Sequence, residues 1–150
     1  MERALFGAGC FWGVEEYFQK ISGVIDTEVG YSGGHKQDPT YQEVCSNKTG
    51  HVEVLKVDFD ETIIKYDEIL THFWKCHDPT TLNRQGADIG TQYKSIIFYY
   101  TDLQKKIAEN SKLNHQKMFN NAIVTEIKKF DIFYLAEEYH QKYFQKKNKK

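Results

Sequence analysis

Two alternating apolar runs, residues 24–31 and 51–59, read as β-strands that follow one another with no helical stretch between them. That succession constrains the fold more than any other feature, because parallel neighbours need a crossover, usually helical, and this pair has none. Before them, a short strand fits residues 3–6, and from Phe11 the apolar Val14, Phe18 and Ile21 recur at helical spacing until Gly23 interrupts. After them, Tyr66, Ile69, Leu70, Phe73 and Trp74 form the buried stripe of a helix that ends at His77-Asp78-Pro79, since the residue before a proline is pushed out of helical geometry. Residues 95–100 are a continuous apolar strand, Thr101 to Gln104 has the Thr-x-x-Gln form of a capping box opening another helix, and residues 122–127 add a strand. The order βαββαβ, followed by a further helix and strand, predicts an α+β fold, a two-layer α/β sandwich rather than a doubly wound parallel sheet.

No repeat or proline-rich linker divides the 150 residues, and their 40 % apolar content fills one core, so residues 1–150 are read as a single domain with a short basic tail, solvated and frayed, at about 145–150. Lysine and arginine number 20 against 21 acids, a formal charge of −1 that supplies no field for recruiting nucleic acid or an anionic membrane. Apolar runs are far shorter than the ~20 residues of a membrane span, and the opening MERALFGAGCF lacks a signal peptide's basic and apolar regions, so a cytoplasmic location is expected. Two long irregular loops, residues 32–50 and 78–94, exceed what a turn requires and are the expected carriers of function.

Cys10, Cys45 and Cys76 are an odd, widely spaced set that fits neither a disulfide framework nor a CxxC pair, so at least one thiol is free. Cys10 follows Gly7-Ala8-Gly9 and falls at the first turn of a helix, where unpaired N–H groups and the helix dipole stabilise a thiolate and depress its pKa. The glycines leave bare backbone for a close-approaching substrate. Phe11 and Trp12 come next, and neighbours about 100° apart on a helix cannot both face the core. One ring is therefore exposed or lines a pocket suited to a small apolar group such as a methyl. Alternation puts Glu53 on the same side as Leu55, Val57 and Phe59, where desolvation would raise its pKa and let it hold a proton to donate near neutrality.

The run GAGCFWGVE strongly resembles the active-site segment of the peptide methionine sulfoxide reductase A family, and GYSGG, PTYQEVCS, TGHVEV, FWKCHDPT and RQGADIGTQYKS appear in the family's order across roughly residues 4–144. The resemblance implies a ferredoxin-like βαββαβ core, Cys10 as nucleophile, Glu53 as proton donor, and Phe11 and Trp12 as the methyl pocket. It further implies that Tyr41 and Tyr93 direct hydroxyls at the sulfoxide oxygen and that Asp88 holds the substrate or an ordered water. The implied reaction converts S-epimer methionine sulfoxide, free or in peptides, to methionine and leaves a cysteine sulfenic acid, with no metal or organic cofactor. The closing QKKNKK carries no recycling cysteine, so an external thiol, glutathione, glutaredoxin or thioredoxin, is expected to restore a monomeric enzyme, with internal resolution by Cys45 or Cys76 as the alternative.

Other readings of the same residues remain open. A cysteine hydrolase would use His51 or His77 as the base for Cys10. A metal-binding module would draw on His72, Cys76 and His77, and a non-enzymatic reader would bind oxidised methionine without turnover.

Overall fold

Strand β1 (Glu2–Ala8) is apolar on both sides, with Ala4, Phe6 and Ala8 in one core cluster and Leu5 in another, so it can only be stable at the middle of a sheet. The computed structural model describes residues 1–147 and places it there. The chain continues through α1 (Phe11–Gln19), β2 (Val24–Ser32), α2 (Tyr41–Cys45), β3 (Val52–Phe59), α3 (Tyr66–Lys75), β4 (Arg84–Gln85), β5 (Asp88–Ile89), β6 (Ser95–Tyr99), α4 (Asp102–His115), β7 (Glu126–Lys129), β8 (Phe133–Leu135) and α5 (Tyr143–Lys147). The mixed α/β architecture is a six-stranded sheet in the order β7-β6-β1-β3-β2-β8, with β4 and β5 as a separate hairpin. All neighbours in the large sheet run antiparallel except β6 and β7, which α4 joins in parallel.

Helices α1, α3 and α4 pack against the sheet, where Phe6 bridges Phe18 of α1 (ring centroids 4.9 Å) and Phe73 of α3 (5.1 Å). A second, smaller cluster contains Leu5, Val52, Val54, Ile96 and Phe98, with Tyr100, Phe130 and Phe133 packed against it. Alternation along β3 therefore holds as read: Leu55, Val57 and Phe59 belong to the larger cluster and Val52 and Val54 to the smaller.

The structure departs from the sequence reading in the loops and near the C-terminus. Residues 32–50 are not wholly irregular, because Thr40 and Glu43 form a reciprocal capping box that opens α2. Residues 78–94 contain the β4–β5 hairpin and a 3-10 turn at Thr91–Tyr93. At α4 the capping box is only half made: Thr101 accepts from the Gln104 N–H, but the Gln104 side chain accepts from the Tyr100 N–H and donates to Arg3 O and Glu2, drawn away by the start of the central strand β1. The expected strand at 122–127 begins at Glu126, since the N–H groups of Ile123 and Val124 are taken by Gln116 and Pro79. Of the basic tail expected at 145–150, residues 145–147 are helical in α5, whose Gln145 accepts from Gln19, and residues 148–150 lie outside the described residues.

Candidate active site

The turn from β1 into α1 requires Gly9, whose φ of +98° lies in the left-handed region and whose added Cβ would stand 2.8 Å from Gln85 Cγ. The bare backbone thus accommodates Gln85, not the substrate approach inferred from sequence. Cys10 follows as the N-cap of α1, and the first free N–H of that helix, on Phe11, donates to Glu53 Oε1 at 3.1 Å. The nucleophile candidate and the acid candidate, 43 positions apart in sequence, are therefore neighbours in space.

Glu53 lies opposite Tyr31 in the β2–β3 ladder, is 1 % exposed, and keeps its second oxygen Oε2 buried without a hydrogen-bond partner among the described residues. Burial pushes the carboxyl up to about 8, with the charge of Asp88 adding to the rise and the Phe11 N–H opposing it. It is therefore a neutral acid at neutral pH. Burial also raises the Cys10 thiol, helped by the charge of Asp88 and, once it ionises, of Glu53, while the N–H groups of Trp12 and Gly13 act the other way. The helix terminus does favour the thiolate, as the sequence implied, but desolvation outweighs it and the net shift is upward.

An aromatic wall surrounds this pair. Phe11 is buried between Tyr31 (5.8 Å), His140 (5.2 Å) and Tyr41 (6.4 Å), whereas Trp12 is half-buried, so Trp12 is the less buried ring of the adjacent two. Its indole Nε1–H donates to His140 Nδ1 at 2.9 Å, and one face stacks on Tyr143 with centroids 3.8 Å apart and planes within 6°. Glu137 accepts from the Tyr31 hydroxyl (2.8 Å) and from the Tyr41 N–H (2.9 Å), tying β2 to the start of α2. Tyr31, Glu137, His140 and Tyr143 were not singled out from sequence. The only signal available was the density of rings and acids in residues 133–144, which without a fold reads as ordinary core.

A chain with this site also matches a known family: the family model for peptide methionine sulfoxide reductase covers residues 2–150. The chain belongs to that family. The peptide methionine sulfoxide reductase MsrA of Methanococcus maripaludis is 58 % identical over 147 residues, 98 % of this chain and 94 % of that protein. The reduced form of Mxr1 from Saccharomyces cerevisiae superposes with a TM-score of 0.93 at 37 % identity, over 99 % of this chain and 87 % of that one. Mxr1 in complex with Trx2 matches with a TM-score of 0.68 at 26 % identity, over 95 % and 84 %. The reductase is thus a thiol-dependent oxidoreductase, a peptide-methionine (S)-S-oxide reductase, that returns methionine sulfoxide to methionine through a cysteine sulfenic acid regenerated by an external thiol.

The other sequence candidates divide between the reductase site and its surroundings. Tyr41 packs against His140 at 4.4 Å and lies beside the Cys45 thiol; burial, then Cys45 and Glu53, raise its hydroxyl. Tyr93 closes the 3-10 turn, and burial with the charges of Glu53, Cys45, Asp88 and Cys10 pushes it up to about 12, so both phenols stay protonated donors. Asp88 is exposed on the hairpin, close enough for its charge to act on Cys10 and Glu53. Cys76 is elsewhere: its thiol donates to Phe73 O, and burial pushes it up to about 12. The imidazoles proposed as hydrolase bases are engaged too. His51 is held between the Gly34 N–H and Lys36 O, while His77 lies between Phe73 O and Ser95 Oγ and is pushed down to about 4 by burial. His72 faces the Tyr17 hydroxyl, and among the described residues no group of His, Cys, Asp or Glu is placed to hold a metal ion.

Proposed function

We propose that Cys10 is the nucleophile and Glu53 the proton donor, with Phe11 and Trp12 receiving the methyl group, Tyr41 and Tyr93 donating to the sulfoxide oxygen, and Asp88 holding the substrate at the rim. The observation that carries this reading is the Glu53 carboxyl, bonded through Oε1 to the residue after Cys10 and left with an unpartnered buried Oε2. A protonated Oε2 is a donor awaiting an acceptor, and a sulfoxide oxygen supplies one.

The electrons and protons balance without a cofactor. Cys10 sulfur attacks the sulfoxide sulfur, and negative charge grows on the oxygen as Glu53 protonates it and the phenols hydrogen-bond it. The hydroxyl so formed then passes from the substrate sulfur to Cys10: the substrate S–O bond and the transient S–S bond break, a Cys10 S–O bond forms to give the sulfenic acid, the substrate sulfur keeps the S–S electron pair and leaves as a thioether, and the proton from the thiol restores Glu53. Two equivalents of an external thiol then reduce the sulfenic acid, releasing water and a disulfide. The yeast relative's complex with Trx2 supports thioredoxin as that donor, and a competition assay against glutaredoxin and glutathione separates the three.

Residues 1–150 are read as one catalytic domain, working as a monomer on free or peptide methionine sulfoxide. The strand order β6-β1-β3-β2 with antiparallel neighbours supports a ferredoxin-like core. No helix among the described residues is long and apolar enough to cross a membrane, and three free cysteines support a reducing, cytoplasmic setting. Epimer-resolved reduction of methionine sulfoxide by wild type and Cys10→Ser tests the assignment. The serine variant is expected to be inactive on the S epimer, and retained turnover would remove Cys10 from its role.

A further inference from the structure

Glu15 is the one acidic residue of α1 that points inward, 1 % exposed and one helical turn beyond Trp12. A buried carboxylate is costly unless its oxygens are bonded, and here both are. Oε2 accepts from Thr27 Oγ1 at 2.7 Å, on β2, and Oε1 accepts from the backbone N–H of Lys142, also at 2.7 Å. Lys142 adopts φ +52°, an uncommon conformation for a residue with a side chain. It also sits between the two residues that hold the indole of Trp12, His140 by hydrogen bond and Tyr143 by stacking. Gln141 is anchored independently, through Val29 N–H, Val29 O and Ala136 O, and the Lys142 ammonium donates to Thr27 O (3.0 Å) and pairs with Asp26 (3.4 Å), so side chains tie the segment to β2 while the Lys142 backbone N–H is its tie to the Glu15 carboxyl of α1.

We propose that Glu15 is a positioning residue: its carboxylate clamps the backbone at Lys142 to α1 and so fixes His140 and Tyr143 against Trp12, setting the shape of the methyl-binding wall. This rests on the assignment of Trp12 to that wall. Because the clamp acts on substrate fit and not on the reacting sulfur, its loss raises KM more than it lowers kcat.

The test compares wild type, Glu15→Ala, Glu15→Gln and Thr27→Val, with Trp12→Ala alongside. Glu15→Ala is expected to raise KM for the S sulfoxide by roughly tenfold, about the worth of one hydrogen bond to a charged group, with kcat changed far less. Tryptic cleavage after Lys142, followed by mass spectrometry, should accelerate in the same variant. Glu15→Gln, whose amide oxygen still accepts from Lys142, should recover most of both effects, and Thr27→Val should fall between, so the proposal stays testable even if the alanine variant folds poorly. A lower melting temperature with unchanged KM and unchanged cleavage in Glu15→Ala would reduce Glu15 to a packing role and overturn the proposal. Faster cleavage with unchanged KM would also overturn it, and an unchanged KM in Trp12→Ala would then trace the fault to the wall assignment and not to the clamp.

Discussion

At the scale of single residues, two neutral acids meet where sequence reasoning anticipated one neutral acid and one thiolate. Burial raises both Cys10 and Glu53, and a charge on Glu53 would raise Cys10 further. Holding protons on both suits the proposed reaction, in which the thiol proton replaces the one that Glu53 would give to the sulfoxide oxygen. Glu53→Gln keeps the bond from Phe11 but has no acidic proton, and single-turnover methionine release is expected to slow by about 10²–10⁴-fold. A rate within twofold of wild type would exclude Glu53 as the acid. The same residue makes a stability prediction. Its carboxyl ordinarily titrates at 4.5 and is pushed up to about 8 in the fold, so the neutral form's contribution is fully present below about 4.5 and is lost as pH rises through about 8. Glu53→Gln escapes that loss, and urea unfolding should show it gaining on wild type by an amount on the order of a few kcal/mol between about pH 5 and about pH 9. Parallel pH profiles would mean that Glu53 is not desolvated as described.

At the scale of elements, close strand packing and helix caps place these residues. Gly7 lets β1 approach β3 so closely that a Cβ there would lie 2.8 Å from Val52 Cγ1 and 3.0 Å from the Glu53 carbonyl. Gly7→Ala should therefore cost about 1–3 kcal/mol and depress kcat as well, because the strand that must give way carries Glu53, the proposed acid. An alanine variant with normal activity would show that β3 can shift without moving Glu53. Helix α2 depends on its own cap: Thr40 accepts from the Glu43 N–H at 3.2 Å while Glu43 accepts from the Thr40 N–H at 2.9 Å. Thr40→Ala should remove about 1 kcal/mol and loosen Tyr41 at the first helical position, read as a higher KM for the sulfoxide. An unaltered KM would argue that Tyr41 is held by Glu137 and His140 alone. The same type of motif at Thr101 is half overridden, because the Gln104 side chain bonds the Tyr100 N–H and Arg3 O of β1 and not its own cap.

At the scale of the whole molecule, three thiols occupy three environments: Cys10 at the head of α1, Cys45 beside Tyr41, and Cys76 bonded to Phe73 O at the end of α3. If an external thiol restores Cys10 directly, a protein with both Cys45→Ser and Cys76→Ser should keep at least about half of its thioredoxin-coupled turnover. Loss of turnover with intact single-turnover methionine release would instead assign one of them to resolution. What could be read from sequence was whatever depends on neighbours a few positions apart. Period-two alternation gave the side of β3 on which Glu53 lies, and period-3.6 spacing gave α1 and α3. The lack of a long helical pattern between β2 and β3 argued against a doubly wound sheet, and the pair is indeed antiparallel although the five-residue α2 lies between its strands; the ordered segments around Cys10 pointed to the family. What waited for the tertiary structure was whatever depends on distant partners. The indole of Trp12 is bonded to a histidine 128 positions away, and Glu15 to a backbone N–H 127 positions away, in a segment with no periodicity to announce it. The net direction of the Cys10 shift belongs to the same class, since the helix terminus is a local feature while the burial that outweighs it is assembled by the whole fold.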